Sequence, residues 1–180
     1  MSDGWYDTAQ ICINGHTVNL MSVSHPEHNS KFCGRCGAPT ITKCQNCNVS
    51  INGFYHEGTA DEFDIEGMIE EIVNPPPNIT HDYTTVQSFC PDCGEPYPWT
   101  EAKLKAAQEL TDELDSLSPQ ERDLLKKSLD DIVRDTPQTT VAATRFKRLV
   151  AKAGPVAVEG FKKILWDIAS EFAKRQIWPS

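Results

Sequence analysis

Large apolar side chains are scarce in the first hundred residues of this 180-residue chain. The apolar runs there, such as 10–13 and 17–20, are short and are interrupted by Asn, Gly and Pro. Only from Ala102 onward do apolar residues recur with helical spacing. The front half therefore needs another source of stability, and bound metal is a common one in small domains.

Positive charge is scarce as well, since the net charge is -9 and the pI is about 5.0. Residues 1–142 hold 9 Lys and Arg against 23 Asp and Glu, a net of -14, whereas residues 143–180 hold 8 against 3, a net of +5. This balance disfavours a general role in coating nucleic acid. The basic C-terminal segment predicts either a solvated face paired with the acidic half or a contact surface for an acidic partner, nucleic acid or anionic lipid.

Several signatures of other protein classes are missing. No apolar run approaches the roughly 18 residues of a membrane span, and the N-terminus lacks the features of a secretory signal. We therefore expect a cytoplasmic protein with reduced cysteines. There is no Gly-rich phosphate loop, no His-Glu-x-x-His and no nucleophile elbow. His56 and His81 each precede a carboxylate, but neighbours in an extended chain point to opposite sides, so we expect no enzymatic activity.

Cysteine is the residue type with an informative arrangement. Six of the seven cysteines form three Cys-x-x-Cys pairs, which are Cys33 with Cys36, Cys44 with Cys47, and Cys90 with Cys93. Gly37, Asn48 and Gly94 each follow the second cysteine of a pair, and these residue types tolerate a left-handed backbone. Such a turn lets backbone amides face the thiolates, which is typical of zinc knuckles.

The ligand count closes on two metal sites. A structural zinc site takes four ligands in a tetrahedron, so three pairs plus Cys12 fall one ligand short of two sites. His16, four residues after Cys12 and beyond a glycine, supplies the missing group. We predict two structural Zn2+ per chain, both saturated by protein ligands. The first site is Cys12, His16, Cys33 and Cys36, and the second is Cys44, Cys47, Cys90 and Cys93.

The pairing and the metal keep alternatives open. His56 could replace His16, and Cys12 and His16 could instead join Cys44 and Cys47. Four thiolates at the second site also suit iron. A redox Cys-x-x-Cys pair is disfavoured because the region lacks the βαβ pattern of thioredoxin-like proteins.

We predict an α+β chain with two domains. Residues 1–99 form a double zinc ribbon of short strands and knuckles, with an acidic and Pro-rich insert at 55–89. Residues 100–180 form a bundle of about four helices. Thr100 is a candidate cap of the first helix, and Ser118 opens a capping box at the second. The third helix begins near Thr139 or Thr140, and the fourth spans about 156–177.

The fourth predicted helix has apolar residues on more than one side. Five of them follow heptad spacing, and they are Val158, Phe161, Leu165, Ile168 and Phe172. Ile164, Trp166, Ile177 and Trp178 lie on other faces. Such a helix either packs inside its own bundle or meets a partner, including a second copy of the chain.

Several of these stretches resemble a bacterial family catalogued only as a domain of unknown function. The resemblance rests on residues 10–16, 31–38 and 89–100, on Asp135-Thr136-Pro137, and on 142–147. It implies two zinc ribbons followed by a helical region, and it implies no activity. Residues 57–82 depart from it, because they are longer and more acidic.

Taken together, these features predict a non-enzymatic, zinc-stabilised binding or assembly protein that acts through protein–protein contacts. The C-terminal helices are the candidate docking or self-association surface. The alternative is a nucleic-acid-binding zinc ribbon that uses the basic C-terminal helices. A third hypothesis, contact of the last helix with a membrane surface, is weakened by the acidic residues Glu159, Asp167 and Glu171.

Overall fold

The computed structural model describes residues 4–56 and 86–179. The chain divides into two compact units, Met1–Val86 and Gln87–Ser180. The acidic segment 61–71, the three prolines at 75–77 and His81 lie outside the described residues.

We call the first unit, Met1–Val86, the front unit. Its described part contains short strands arranged in two small sheets. The strands are β1 Trp5–Thr8, β2 Gln10–Cys12, β3 Thr17–Asn19, β4 Thr40–Ile41 and β5 Asn52–His56, with one 3-10 turn at Pro26–His28. In one sheet β1 pairs antiparallel with β5, and in the other β2 lies between β3 and β4. The predicted short strands are therefore present, and none is long enough to form an extensive sheet.

The interior of the front unit contains little apolar material. Within residues 4–56, the buried residues of the apolar classes are Ala9, Ile11, Cys12, Cys33, Cys44 and Ile51. Half of them are cysteines, so the thiols occupy the positions that a conventional domain would fill with aliphatic side chains.

Buried Asp7 organises one loop of the front unit. Its carboxylate accepts hydrogen bonds from the backbone N–H groups of Val23 at 3.1 Å and Ser24 at 3.2 Å. Burial by itself would raise the pKa of Asp7, but hydrogen bonds from the Ser24 side chain and from backbone amides hold that pKa below its usual value. The loop after β3 is thus tied to β1 by a charged acceptor.

Five helices make up the described part of the second unit, one more than the four expected. They are α1 Pro98–Asp112, α2 Pro119–Val133, α3 Thr139–Ala153, α4 Pro155–Leu165 and α5 Glu171–Ile177. The chain is therefore a mixed α+β protein, as predicted. Among the described residues, no helix combines the length and the apolar character needed to cross a bilayer.

The predicted fourth helix is divided into α4 and α5. Ser170 interrupts it: its backbone N–H donates to the Ile132 carbonyl at 3.1 Å, and its hydroxyl accepts from Ala173 N at 3.2 Å as an N-cap. Ile168 is buried in the intervening turn, whereas Phe172 is 39% exposed. The helical spacing of apolar residues continues without a gap, so it gave no sign of this break. The break is set by the Ser170 cap and by its contact with Ile132.

The first helix begins earlier than the candidate cap at Thr100. Pro98 occupies the first helical turn, where its fixed φ and missing N–H are tolerated. Thr100 is instead fully buried, and its hydroxyl donates to the Ser88 carbonyl at 2.7 Å. Its role is to attach the preceding segment to the helix rather than to begin it.

The last knuckle is anchored on the helices. Trp99 Nε1 donates to the Gln87 carbonyl at 2.9 Å, and Ser88 Oγ donates to the Ile168 carbonyl at 3.4 Å. Phe89 packs against the helical core, and the Arg134 guanidinium lies 4.5 Å from its ring centroid. The backbone that carries Cys90 and Cys93 is therefore held against the helices by these contacts.

An ordinary hydrophobic core holds the helices together. Leu125, Leu129, Phe146, Phe161 and Leu165 have no exposed surface. The Phe146 and Phe161 rings meet edge to face with centroids 5.2 Å apart. Each such side chain contributes about 1.5–3 kcal/mol by burial, so this unit has the apolar core that the front unit lacks.

The predicted capping box begins α2. Ser118 Oγ accepts from Glu121 N at 3.3 Å, and Glu121 Oε2 accepts from Ser118 N at 2.9 Å. Lys152 of α3 donates to Glu121 at 2.7 Å, and this hydrogen bond, with that from Ser118 N, lowers the pKa of Glu121 to about 2. The cap thus also links α2 to α3.

We expect Ser118→Ala to destabilise the helical unit by about 1 kcal/mol, because the N–H of Glu121 loses its acceptor. Equilibrium urea unfolding followed by far-ultraviolet circular dichroism measures the change. Ser116→Ala, at an exposed position just before the cap, is the matched control and should change stability by less than about 0.5 kcal/mol. Equal effects of the two substitutions would show that the cap does not stabilise α2.

Candidate metal centres

All three Cys-x-x-Cys pairs adopt the same backbone turn. The N–H of the first cysteine donates to the carbonyl five residues later, from Cys33 to Ala38, Cys44 to Val49 and Cys90 to Glu95, at 2.8–2.9 Å. The backbone N–H of the residue just after the second cysteine donates to the carbonyl of the first cysteine, at 2.8–3.0 Å. Isolated β-bridges flank each turn: Phe32 with Pro39, Lys43 with Ser50, and Phe89 with Pro96. Three stretches of different sequence thus form equivalent knuckles.

The left-handed residue of each knuckle is the one that the sequence indicated. Gly37, Asn48 and Gly94 have φ values of 70°, 61° and 73°. Asn48 is the one residue other than glycine with positive φ in the described part of the chain. Glycine adopts this conformation without steric cost, and asparagine is one of the few side chains that tolerate it.

The fourth pair of ligands is held by a tight turn at the end of β2. Gly15, with φ of 85°, donates to the Cys12 carbonyl at 2.8 Å, and Cys12 N donates to the His16 carbonyl at 3.0 Å. His16 N also donates to Cys12 Sγ at 3.3 Å. The turn brings the imidazole back over the thiol.

The first group of ligand atoms has the dimensions of a tetrahedral site. His16 Nδ1 lies 3.5 Å from Cys12 Sγ, 3.3 Å from Cys36 Sγ and 3.7 Å from Cys33 Sγ. The sulfurs of Cys12 and Cys36 are 3.8 Å apart. Zinc bonds of about 2.3 Å to sulfur and 2.0–2.1 Å to nitrogen give tetrahedron edges of about 3.8 Å and about 3.6 Å. The donor set therefore fits a zinc ion, with Nδ1 as the imidazole ligand.

Hydrogen bonds to the sulfurs favour the thiolate form at the exposed side of this group. The backbone N–H of Ala38, followed by the Asn14 side chain at 3.5 Å, lowers the pKa of Cys36 to about 6. Burial raises the pKa of Cys12, which lies on the inner side. The hydrogen bond from Asn14 to Cys36 could not be predicted from residue spacing. It forms because the first Cys-x-x-Cys turn lies beside the turn after β2.

The second group contains four cysteines. The sulfurs of Cys44, Cys47, Cys90 and Cys93 all lie within 4.8 Å of one another. Cys44 and Cys90 are buried, whereas Cys47 is exposed and Cys93 is half-buried. Four sulfur donors in this arrangement can hold a zinc ion, and iron has the same preference.

The grouping matches the sequential pairing and not the interleaved alternative. His56 does not replace His16, because its ring stacks on Trp5 at 4.3 Å and its Nε2 lies 3.6 Å from Asp7 Oδ2. Sequence reasoning discounted a pairing of His56 with the carboxylate that follows it, and it did not foresee the approach of His56 to the distant Asp7. Asp7 lies on β1, the strand that pairs with β5, so its approach to His56 is a long-range contact that no local pattern records.

We expect His16→Ala to lower the metal content from two ions per chain to one, because the first site loses one of its four ligands. His56→Ala removes an imidazole from the same unit without touching either group, so it should retain two ions. Elemental analysis of the purified variants distinguishes them. Loss of metal from both variants, or from neither, would contradict this assignment of ligands.

Comparisons with known proteins place the chain in a family but give it no function. No curated protein and no solved structure matches it. The model of one family, described as an uncharacterised protein conserved in bacteria (DUF2321), matches residues 5–177. Since the match spans both ligand groups and every described helix, the chain belongs to this uncharacterised bacterial family.

Proposed function

We propose that this protein is a zinc-stabilised binding and assembly module that contacts a protein partner through α4 and α5 and catalyses no reaction. Each ligand group supplies four protein donors, so a metal ion bound there keeps no open position for water or substrate. The metal would then serve folding. Because the thiols must stay reduced to bind it, the proposed compartment is the cytoplasm.

The observation that carries the proposal is an exposed tryptophan flanked by two lysines. Trp166, at the end of α4, is 43% exposed. The ammonium groups of Lys162 and Lys174 lie 5.4 and 5.5 Å from its ring centroid. Trp178 lies beside it with ring centroids 6.1 Å apart. We call these four residues the tryptophan patch.

The tryptophan patch is fixed to the helical core. Trp178 also meets Phe146 at 6.0 Å, and Phe146 contacts Phe161 in the interior. Lys174 is held in turn by Glu171 at 2.6 Å. A preorganised aromatic side chain loses little conformational entropy on binding, and Trp is the residue type most enriched among energetic hot spots of interfaces.

The charge of the surrounding segment indicates the kind of partner. Residues 143–180 carry a net charge of +5 on a chain that is acidic overall. Two of the acidic residues there are already paired, Asp167 with Lys103 and Glu171 with Lys174, both at 2.6 Å. An acidic protein surface with an apolar centre would complement the tryptophan patch.

Nucleic acid is the second candidate, and the same lysines favour it because they could contact phosphates. Opposing it is the net charge of -9, which repels a polyanion at long range. Titration of short duplexes and single strands at low salt tests this alternative. Binding that weakens steeply as salt rises would support it, and no binding at about 50 mM salt would exclude it.

For the protein-binding proposal, we expect Trp166→Ala to weaken the partner complex by about 2 kcal/mol, roughly thirtyfold, as loss of a hot spot does. A photo-crosslinking residue next to the patch identifies the bound protein in the native host, and sedimentation of the purified chain shows whether a second copy is the partner. The affinity for that partner is then measured for each variant.

Val156→Ala is the matched control, because Val156 lies on the same helix, is 86% exposed and stands outside the tryptophan patch. The control should bind as the unaltered chain does. The proposal fails if Trp166→Ala binds as tightly as the control while remaining folded.

A further inference from the structure

A groove of about 550 Å³, open to solvent, lies in the front unit. It is lined by Gln10, by residues 29–31, by residues 40–45 and by Asn48. We call it the knuckle groove, because the second Cys-x-x-Cys turn forms part of its wall. Its volume is within the range of small-molecule sites.

Three residues that line the knuckle groove form a closed hydrogen-bond network. Buried Gln10 donates to the Ser30 carbonyl at 3.1 Å and to Thr40 Oγ1 at 3.0 Å, and it accepts from Ser30 N at 2.9 Å. Thr40 Oγ1 donates to the same Ser30 carbonyl at 2.6 Å. The segment that carries Lys31 is therefore held in place before any ligand arrives.

The groove is lined by two lysines that have no carboxylate partner in the described ranges, 4–56 and 86–179. Lys31 and Lys43 line it, both are exposed, and neither forms an ion pair with any residue that the structure describes. No Asp or Glu occurs from residue 28 to residue 56. Among the residues that the structure describes, two lysines without an ion-pair partner therefore lie at one groove.

The size of the groove and the charge of the whole molecule point to a small anion. A long polyanion is repelled by the net charge of -9, whereas a small ligand meets mainly the local field. Gln45 and Asn48 also line the groove, and an amide side chain can both donate and accept hydrogen bonds. We propose that the knuckle groove binds a phosphorylated small molecule of nucleotide size, with Lys31 and Lys43 on its phosphates.

The competing explanation is that the two lysines only offset charge at the metal sites. Cys44 lines the groove, and a metal-bound thiolate carries negative charge. Under that explanation Lys31 and Lys43 would affect metal content, and no anion would bind. The two explanations therefore differ in both measurements below.

The test uses the metal-loaded full chain and calorimetric titration with adenosine diphosphate, inorganic phosphate and adenosine. We expect adenosine diphosphate to bind, adenosine not to bind, and the double variant Lys31→Gln/Lys43→Gln to weaken binding of the diphosphate at least tenfold. The matched control is Lys105→Gln/Lys127→Gln, which neutralises two exposed helical lysines and should bind within twofold of the unaltered chain.

Metal content is measured for every variant, and the proposal expects two ions per chain in each. Binding of inorganic phosphate that the groove variant alone abolishes would also support an oxyanion site. The proposal is overturned if neither phosphate-bearing probe binds at concentrations of about 10 mM, if adenosine binds as well as its diphosphate, or if the groove variant binds like the control.

Discussion

Eight ligand atoms gather into two groups of four, and this is the constraint that best explains how the front unit folds. In the first group, the His16 nitrogen lies 3.3–3.7 Å from the three sulfurs, and the sulfurs of Cys12 and Cys36 are 3.8 Å apart. Sulfurs this close would repel one another as thiolates if no cation lay between them. In residues 4–56 the aliphatic interior amounts to Ala9, Ile11 and Ile51, which cannot offset the conformational entropy of ordering that many residues. A metal ion bound at each group would supply the missing free energy, and folding and metal binding would then be one process.

The helical unit is stabilised by a hydrophobic core and needs no metal ion for that core. Its interior is continuous and apolar, and one of its helix ends carries a complete capping box. Hydrogen bonds and a cation–π contact attach the knuckle of Cys90 and Cys93 to the helices. That knuckle therefore has a support that does not rely on metal, whereas the turn of Cys12 and His16 has only short strands around it.

How far sequence predicts this structure depends on whether each signal is local. The knuckle turns and the left-handed residues Gly37, Asn48 and Gly94 were predictable because turn chemistry acts within a few residues. The pairing of the ligands into two groups was only preferred from the sequence, because it joins residues that are far apart along the chain. The capping box at Ser118 was predictable for the same reason. The break before Ser170 was not, since the apolar spacing continues through it and the contact with Ile132 comes from a distant helix. The pairing of His56 with Asp7 and the knuckle groove also depend on long-range contacts.

X-ray absorption at the metal edge of the chain purified from its native host tests the central claim most directly. The account predicts two ions per chain with seven sulfur ligands and one nitrogen ligand shared between them, at about 2.3 Å and 2.0–2.1 Å. Oxygen-rich coordination, or a front unit that stays folded after thorough chelation, would contradict it.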